Sequence, residues 1–454
     1  MNWIKNAIFA LGVAGLYSII LVILRVPSLS QYFADPSIFK SALIIHVNLS
    51  VLVWLLAITC FFWDLNEIRF SYNYWYSLLV SGAILLMSIS PILAKSDAVM
   101  NNYVPILENI IFILGLSLFL CVILCFAVQT IILVFFKNTP YFYGERVIAI
   151  VQFTTAIMFL LVCVCFILSY MQLDELSNIV PLDLDYYYEM LFWSGGHLLQ
   201  FIYTQTMMLA FMILVESYKK IELKYVNMYE MILWLNFTLA CVIIIGHVYL
   251  EVSDNLFKHF FTYHMIYTGG IAPLLMILVL LIEILQNYRK DVNVVARASF
   301  ICASALFLFG GGMGAMISGI NVTIPAHYHG SIVGITVAFM GVVYLVCFKD
   351  GQEADNSVIN YIHTSLNIAK SAMPERAKTQ IYLISSGQLI HIIGLFLAGG
   401  YGVMRKTTGQ EIALSAKFYM GMVGIGGSFA IIGGLMFVYI CAKKLLIFND
   451  QSEK

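Results

Sequence analysis

Charge is what this sequence has least of. Asp, Glu, Lys and Arg make up 11% of its 454 residues, and the formal net charge is −1. Without a basic excess there is no electrostatic footprint for nucleic acid. Cysteine motifs are missing as well. No Cys-x-x-Cys occurs, and no Cys-x-x-Cys-His that would attach a haem covalently. The nine cysteines all fall in apolar stretches, where Cys121 and Cys125, one turn apart, read as packing residues. There is no short-period repeat and no low-complexity tract. The first apolar run, between Lys5 and Arg25, is not followed by a small-residue cleavage site, so it reads as a retained helix.

What fills the sequence is apolar. Hydrophobic residues make up 61% of the chain, and the mean hydropathy is +0.91. No water-soluble core uses that much apolar surface, so the solvent for most of the chain is lipid. Runs long enough to cross ~30 Å of hydrocarbon fall at 5–25, 41–63, 73–94, 105–136, 145–171, 187–216, 228–253, 257–285, 297–319, 326–348, 379–402 and 416–447. The expected fold is an all-α integral membrane protein, a twelve-transmembrane-helix bundle forming one membrane domain over 1–454. The longest loop, 349–378, is polar and contains a candidate surface helix near 357–371.

Orientation follows from the basic residues. With the N-terminus inside and alternating spans, the inner segments hold seventeen of the 24 Lys and Arg residues. The outer segments hold Arg25, Lys40, Lys95, Lys258, Arg405, Lys406 and Lys417. Both termini are therefore expected in the cytoplasm, and the loop 349–378 with them.

The nine histidines point to function. Ionisable side chains inside a bilayer are costly and usually mark a site. On this map His46, His197, His247, His264, His327 and His329 all lie within spans and in the outer half of the membrane, and His391 lies near its middle. His46, His197, His247 and His327 come from four different spans yet share one depth. The sharpest local feature is Ala326-His327-Tyr328-His329-Gly330. Residues two apart on a helix point about 200° away from each other, so two neutral imidazoles there can bind metals on opposite sides of one helix. The local alternative is a pair of histidines bonded to neighbouring helices.

Ala326-His327-Tyr328-His329, followed by Val337-Ala338-Phe339-Met340-Gly341, resembles the tenth helix of haem-copper oxidase subunit I. The resemblance extends over most of the chain. His46 with Trp54 resembles the low-spin haem ligand region of the second helix. His197 resembles the first ligand of the second metal, and His247 follows it at the family's spacing. His391-Ile392-Ile393-Gly394-Leu395 and then Arg405-Lys406 resemble the eleventh helix and its basic pair at the haem propionates. Asn101-Asn102-Tyr103-Val104-Pro105 is similar to the B-type and nitric-oxide-reductase-like branches.

The resemblance implies two haems and a second metal, either copper or non-haem iron. His46 and His329 would be the axial ligands of a low-spin haem, and His327 would bind a high-spin haem. His197 and His247 would bind the second metal, and Arg405 and Lys406 would neutralise propionates. The implied activity is terminal reduction of O2 or NO. Electrons would come from a donor subunit, a soluble cytochrome or cupredoxin, or a quinol, because the chain has neither a cupredoxin domain nor a covalent haem. The implied location is a bacterial cytoplasmic membrane.

The pattern departs from the family in two places. Where most oxygen reductases have His-Pro-x-x-Tyr, this chain has His197-Leu198-Leu199-Gln200-Phe201, so the tyrosine that gives oxygen a proton and an electron is absent. Where the family has adjacent histidines, this chain has His247-Val248. Gln200, three residues after His197, could offer an amide oxygen on the same face, and Glu251, four after His247, a carboxylate that would favour iron. Tyr203, Tyr249 and His264 are further candidates. Coupling two NO molecules needs two electrons and no phenol, so the missing tyrosine leans the reading toward NO. The inner halves of the second, third, sixth and tenth spans hold no carboxylate except Glu216, so an inner proton path would rely on hydroxyls and water. Two other functions stay open: a twelve-helix secondary transporter, and a degenerate, non-catalytic haem protein.

Overall fold

The computed structural model describes residues 1–25, 37–65, 73–136, 143–287, 293–349, 354–355, 357–404 and 414–452. Among them, twelve helices are long and apolar enough to cross a membrane. They are α1 (Asn2–Arg25), α2 (Ser37–Trp63), α3 (Asn73–Leu93), α4 (Ile110–Phe135), α5 (Tyr143–Ser177), α6 (Leu184–Lys219), α7 (Val226–Tyr249), α8 (Asn255–Gln286), α9 (Val294–Gly314), α10 (Thr323–Cys347), α12 (Glu375–Gly400) and α13 (Leu414–Ser452). The short α11 (Val358–Ser365) lies in the polar loop where a surface helix was expected, capped by the Ser357 side chain.

Three of the boundaries that differ from the sequence reading do so for an identifiable local reason. The fourth span starts at Ile110, not 105, because a small antiparallel hairpin, β1 (Ala98–Val99) with β2 (Ile106–Leu107), precedes it. Asn109 then caps the helix by accepting from the Phe112 amide at 2.8 Å. The seventh span ends at Tyr249, four residues early, after an interruption between Cys241 and Ile244. The ninth ends at Gly314, where 315–319 leave the helix in turns.

The exposed helix faces are apolar, as a lipid-facing surface requires: Leu114, Phe135, Ile167, Leu285 and Ile425 all project outward. The helices most enclosed by protein are α6, α10 and α2, with 94%, 83% and 72% of their apolar windows buried, against 22% for α13. These three carry His46, His197, His327 and His329. Of these, His197 is buried and the other three are half-buried.

The described residues form two compact units. The first comprises Met1–Tyr17, Asp35–Leu209 and Lys224–Val279. In it α4 packs between α3 and α5, and α5 packs on α7. Trp3 stacks on Phe126 at 5.1 Å, and the Asn6 amide donates to the Ser77 carbonyl at 2.7 Å. The second comprises Ser18–Ala34, Ala210–Leu223 and Leu280–Lys454. In it α10 packs against α9 and α12, and α12 against α13. Buried Gln380 links three of these helices: it accepts from the Tyr344 hydroxyl at 3.1 Å and donates to the Gly433 carbonyl at 3.0 Å.

Candidate functional site

In the first unit, α2 places His46 with its Nδ1 2.9 Å from the Ala14 carbonyl. A carbonyl oxygen only accepts, so the proton is on Nδ1 and the ring's lone pair is on Nε2. Directly after His46 the helix widens into a π-helical segment, Asn48–Val53. Such segments are rare and gather at functional positions. Within it Ser50 donates to the His46 carbonyl at 2.6 Å. Asn48 donates to the carbonyls of Ile44, at 3.0 Å, and Pro105, at 2.7 Å. The Pro105 bond ties the histidine's helix to the loop of the β-hairpin.

That loop is Asn101-Asn102-Tyr103-Val104-Pro105. Asn101 folds it tightly: its side-chain oxygen accepts from the amides of Tyr103, at 3.0 Å, and Val104, at 2.8 Å, an Asx turn. The turn aims the Tyr103 ring at α6. Gly196 receives it, since a Cβ there would lie 2.1 Å from Tyr103 Cγ. The Tyr103 hydroxyl then reaches His197, 2.9 Å from Nε2 and 3.0 Å from Nδ1. His197 Nδ1 also faces the Trp193 carbonyl at 2.7 Å. The proton therefore lies on Nδ1, and the phenol oxygen, nearly equidistant from the two nitrogens, packs against the ring away from the Nε2 lone-pair axis. Burial pushes the Tyr103 phenol well above the usual tyrosine range, and the nearby Glu189 charge adds to the shift, which keeps it protonated.

Glu189 and Trp193 hold this corner together. Glu189 accepts from the Asn102 amide at 3.1 Å and pairs with Lys258 at 3.8 Å. The Lys258 ammonium lies 4.5 Å from the Trp193 ring centre, a favourable cation–π distance. The Trp193 ring meets Tyr103 edge-on at 5.7 Å and His197 at 5.1 Å.

Three rungs of side chains connect α6 to α8. Ser194, His197 and Phe201 lie about a turn apart on α6, and Phe257, Phe261 and His264 do so on α8. His247 Nε2 lies 2.8 Å from the Ser194 hydroxyl, and its ring is 5.3 Å from Phe257. On the next rung, the rings of His197 and Phe261 are 6.2 Å apart. On the last, the rings of Phe201 and His264 are 5.4 Å apart. His264 Nε2 donates to the Leu239 carbonyl at 2.9 Å, beside the interruption in α7. The Nδ1 atoms of His247 and His264 are buried without a partner.

Of the positions weighed as replacements for the lost histidine, His264 is a rung of this ladder, whereas Gln200 and Glu251 play no part in it. Glu251 is exposed, past the end of α7 at Tyr249, so the i,i+4 relation to His247 does not hold; its amide bonds Asp254 at 3.0 Å. Gln200 is half-buried, with no side-chain hydrogen bond among the described residues. Val248, next to His247, is 67% exposed, so that backbone position faces away from the protein interior. Tyr249 is exposed too.

In the second unit, His327 Nδ1 lies 2.8 Å from the Gly310 carbonyl, which again leaves the lone pair on Nε2. Gly314 makes room for this ring, because a Cβ there would lie 2.5 Å from His327 Nδ1. The His329 ring stands edge to face with His391 at 5.0 Å, and His391 Nδ1 donates to the Val423 carbonyl at 2.8 Å. The helical offset of His327 and His329 sends them to different neighbours, as the 200° separation requires. Arg405 and Lys406 lie outside the described residues.

These arrangements fit the haems better than the second metal. An axial histidine needs one nitrogen held by an outer acceptor and the other carrying its lone pair. His46 and His327 have this form. For a second metal, no group of three His, Cys, Asp or Glu side chains able to hold an ion stands together among the described residues. The Tyr103 hydroxyl packs against the His197 ring, and His247 and His264 lie on separate rungs.

Sequence reasoning singled out the histidines but not Tyr103, Trp193 or Glu189 as site residues. The Asn-Asn-Tyr-Val-Pro stretch marked a family branch, and nothing in its spacing linked it to a residue 94 positions away. His391 likewise appeared in a motif without a role, yet its ring contacts His329.

A membrane-spanning oxidoreductase is the class this fold and its imidazoles define, and comparison with known proteins agrees. The family model "Cytochrome C and Quinol oxidase polypeptide I" matches residues 2–429. The chain belongs to that family, the subunit I of haem-copper terminal oxidases, and is a multi-pass membrane oxidoreductase. Proteins of this family bind haems together with a copper or iron site. An uncharacterized protein of Rickettsia prowazekii (strain Madrid E) is 42% identical, covering 99% of this chain and 96% of its own length. An uncharacterized protein of Aquifex aeolicus (strain VF5) is 24% identical, covering 76% and 83%. A heme-copper terminal oxidase dimer solved by cryo-EM shares the fold, with a TM-score of 0.70 over 98% of this chain and 83% of that one, at 15% identity. The transporter alternative falls with the family match.

Proposed function

We propose that this chain is the catalytic subunit of a respiratory reductase that passes electrons through a low-spin haem to a high-spin haem, where O2 is reduced to water. His46 and His329 would hold the low-spin haem, and His327 the high-spin haem. Arg405 and Lys406 would neutralise propionates near the outer face of a cytoplasmic membrane. When bound, the haems carry the electrons and offer an iron to O2.

The observation that carries the O2 reading is the Tyr103 hydroxyl 2.9 Å from His197 Nε2. Reduction of O2 to two waters takes four electrons and four protons, and a phenol can give one of each. The α6 position that holds a tyrosine in most oxygen reductases is Phe201 here, and the hairpin brings a phenol to the same histidine from a different segment. Its contact with the imidazole positions the hydroxyl, and the ring is a proton acceptor within reach. His197, His247 and Gln200 would form the wall beside the reacting iron.

The electron donor is a partner subunit, a soluble cytochrome or cupredoxin, or a quinol. For protons from the inner side, buried hydroxyls and amides offer a route. Thr59 and Thr206 meet at 3.0 Å, and Gln205 bridges Thr154, at 3.0 Å, and Asn236, at 2.8 Å.

The test is stopped-flow oxidation of the fully reduced, purified protein. Rapid four-electron oxidation by O2 supports the proposal. A second reading, NO reduction, draws on Phe201 and the single histidine of α7; stoichiometric N2O formation with slow oxidation by O2 would establish it instead. Haem spectra without any ligand-reactive iron would leave only the non-catalytic reading.

A further inference from the structure

We infer that this chain holds no second metal beside its high-spin haem, and that the Tyr103–His197 pair stands in the position where the family has one. The inference rests on the functional reading above, in which His197 faces the reacting haem. Three observations in the first unit carry it.

The Tyr103 hydroxyl packs against the His197 ring, 2.9 Å from Nε2 and 3.0 Å from Nδ1, and Nδ1 is committed to the Trp193 carbonyl at 2.7 Å. The contact is built in, not incidental. Gly196 clears the space for the Tyr103 ring, Asn101 fixes the turn that presents it, and Asn48 anchors the end of that turn at Pro105 with a 2.7 Å bond.

The donor set is also too small. The blue-copper site of two histidines and a cysteine and the non-haem iron triad of two histidines and a carboxylate each use three protein ligands. The position after His247 is a valine, and its 67% exposure means that even a histidine there would face outward. Glu251 lies beyond the end of α7 and is exposed.

The remaining imidazoles do not converge. His247 is held one rung outward of His197 by the Ser194 hydroxyl at 2.8 Å. His264 is held one rung inward by the Leu239 carbonyl at 2.9 Å. The Phe261 ring stands against both His197, at 6.2 Å, and His247, at 5.6 Å. No three-donor group forms among the described residues. A phenol–imidazole pair flanked by Phe261 and Trp193 is what the sequence builds there.

The experiment is metal analysis of the full-length, haem-loaded protein purified from cells supplied with copper and iron, alongside haem quantification and low-temperature EPR. The expected result is iron equal to haem, copper below about a tenth of an equivalent per chain, and no change in either for His197→Ala. In infrared difference spectra, the phenol C–O stretch that disappears in Tyr103→Phe should shift in His197→Ala. One equivalent of copper or of iron in excess of haem, lost in His197→Ala, would overturn the inference, as would a phenol band indifferent to His197. Failure of the functional reading looks different: the protein would contain no haem, whereas non-haem metal is counted independently of haem.

Discussion

The hydroxyl of Tyr103 lies against the ring of His197, 2.9 Å from Nε2 and 3.0 Å from Nδ1, although the two residues are 94 positions apart in the chain. One comes from a β-hairpin loop between α3 and α4, the other from the middle of α6. The contact joins the most enclosed helix of the protein to a loop that sequence patterning left without a function.

If this phenol serves O2 reduction, Tyr103→Phe removes the proton and electron source but keeps the ring that fills the space over Gly196. Turnover with O2 should fall roughly a hundredfold, with both haem spectra retained. Stopped-flow oxidation of the reduced variant measures this, and an unchanged rate would remove Tyr103 from the chemistry.

Gly196 can be tested separately. The Cβ of Gly196→Ala would lie 2.1 Å from Tyr103 Cγ, so the ring or the helix must move. Overpacking of this kind costs about 1–3 kcal/mol. The variant should show a lower thermal midpoint and the same loss of turnover as Tyr103→Phe. Gly270, with nothing within 4 Å of its Cβ position, serves as the control, since Gly270→Ala should leave both readouts unchanged.

The two histidines of α10 should separate the two haems. His327 is held by the Gly310 carbonyl, and His329 lies against His391 at 5.0 Å. His327→Ala should abolish the CO-sensitive part of the reduced spectrum and leave the low-spin bands. His329→Ala should do the reverse. Loss of both signals in both variants would mean that the two ligands act as one folding unit and not as separate sites.

A pH effect is expected at α11, outside the membrane spans. Burial holds the His363 imidazole below its ordinary pKa of 6.5, and Lys349 lowers it further, against the Leu345 carbonyl that raises it. In the folded state the ring is neutral, donating through Nε2 to Leu345 at 2.8 Å. Below the ordinary value the undocked segment binds the proton more readily, so docking weakens as pH falls and is fully present above it. Protection factors over Val358–Ser365, corrected for the pH dependence of intrinsic exchange, should fall between pH 7.5 and pH 5, and the fall should be absent in His363→Gln. Equal protection factors at both pH values in the unsubstituted protein would show that His363 does not control the docking.

Much of this molecule could be read along the chain. Twelve apolar runs gave twelve helices because a bilayer demands one uninterrupted hydrogen-bonded segment per crossing, and histidines are too costly in lipid to be scattered without reason. His-x-His was legible because helical geometry alone separates the two side chains by about 200°. Legibility failed where the periodicity was interrupted. Residues 105–110 looked like the start of a helix but form a strand and a cap. The relation of Glu251 to His247 assumed a helix that ends at Tyr249.

The sequence by itself determined the solvent, the number of crossings and which imidazoles lie within them, since these follow from local hydropathy and helical period. Only the tertiary structure decided what each imidazole meets: carbonyls for His46 and His327, a phenol from a distant hairpin for His197, a serine hydroxyl for His247 and a facing ring for His329. Ring orientation depends on single hydrogen bonds to partners far away in the chain, and no local pattern of residues encodes where such partners will be found.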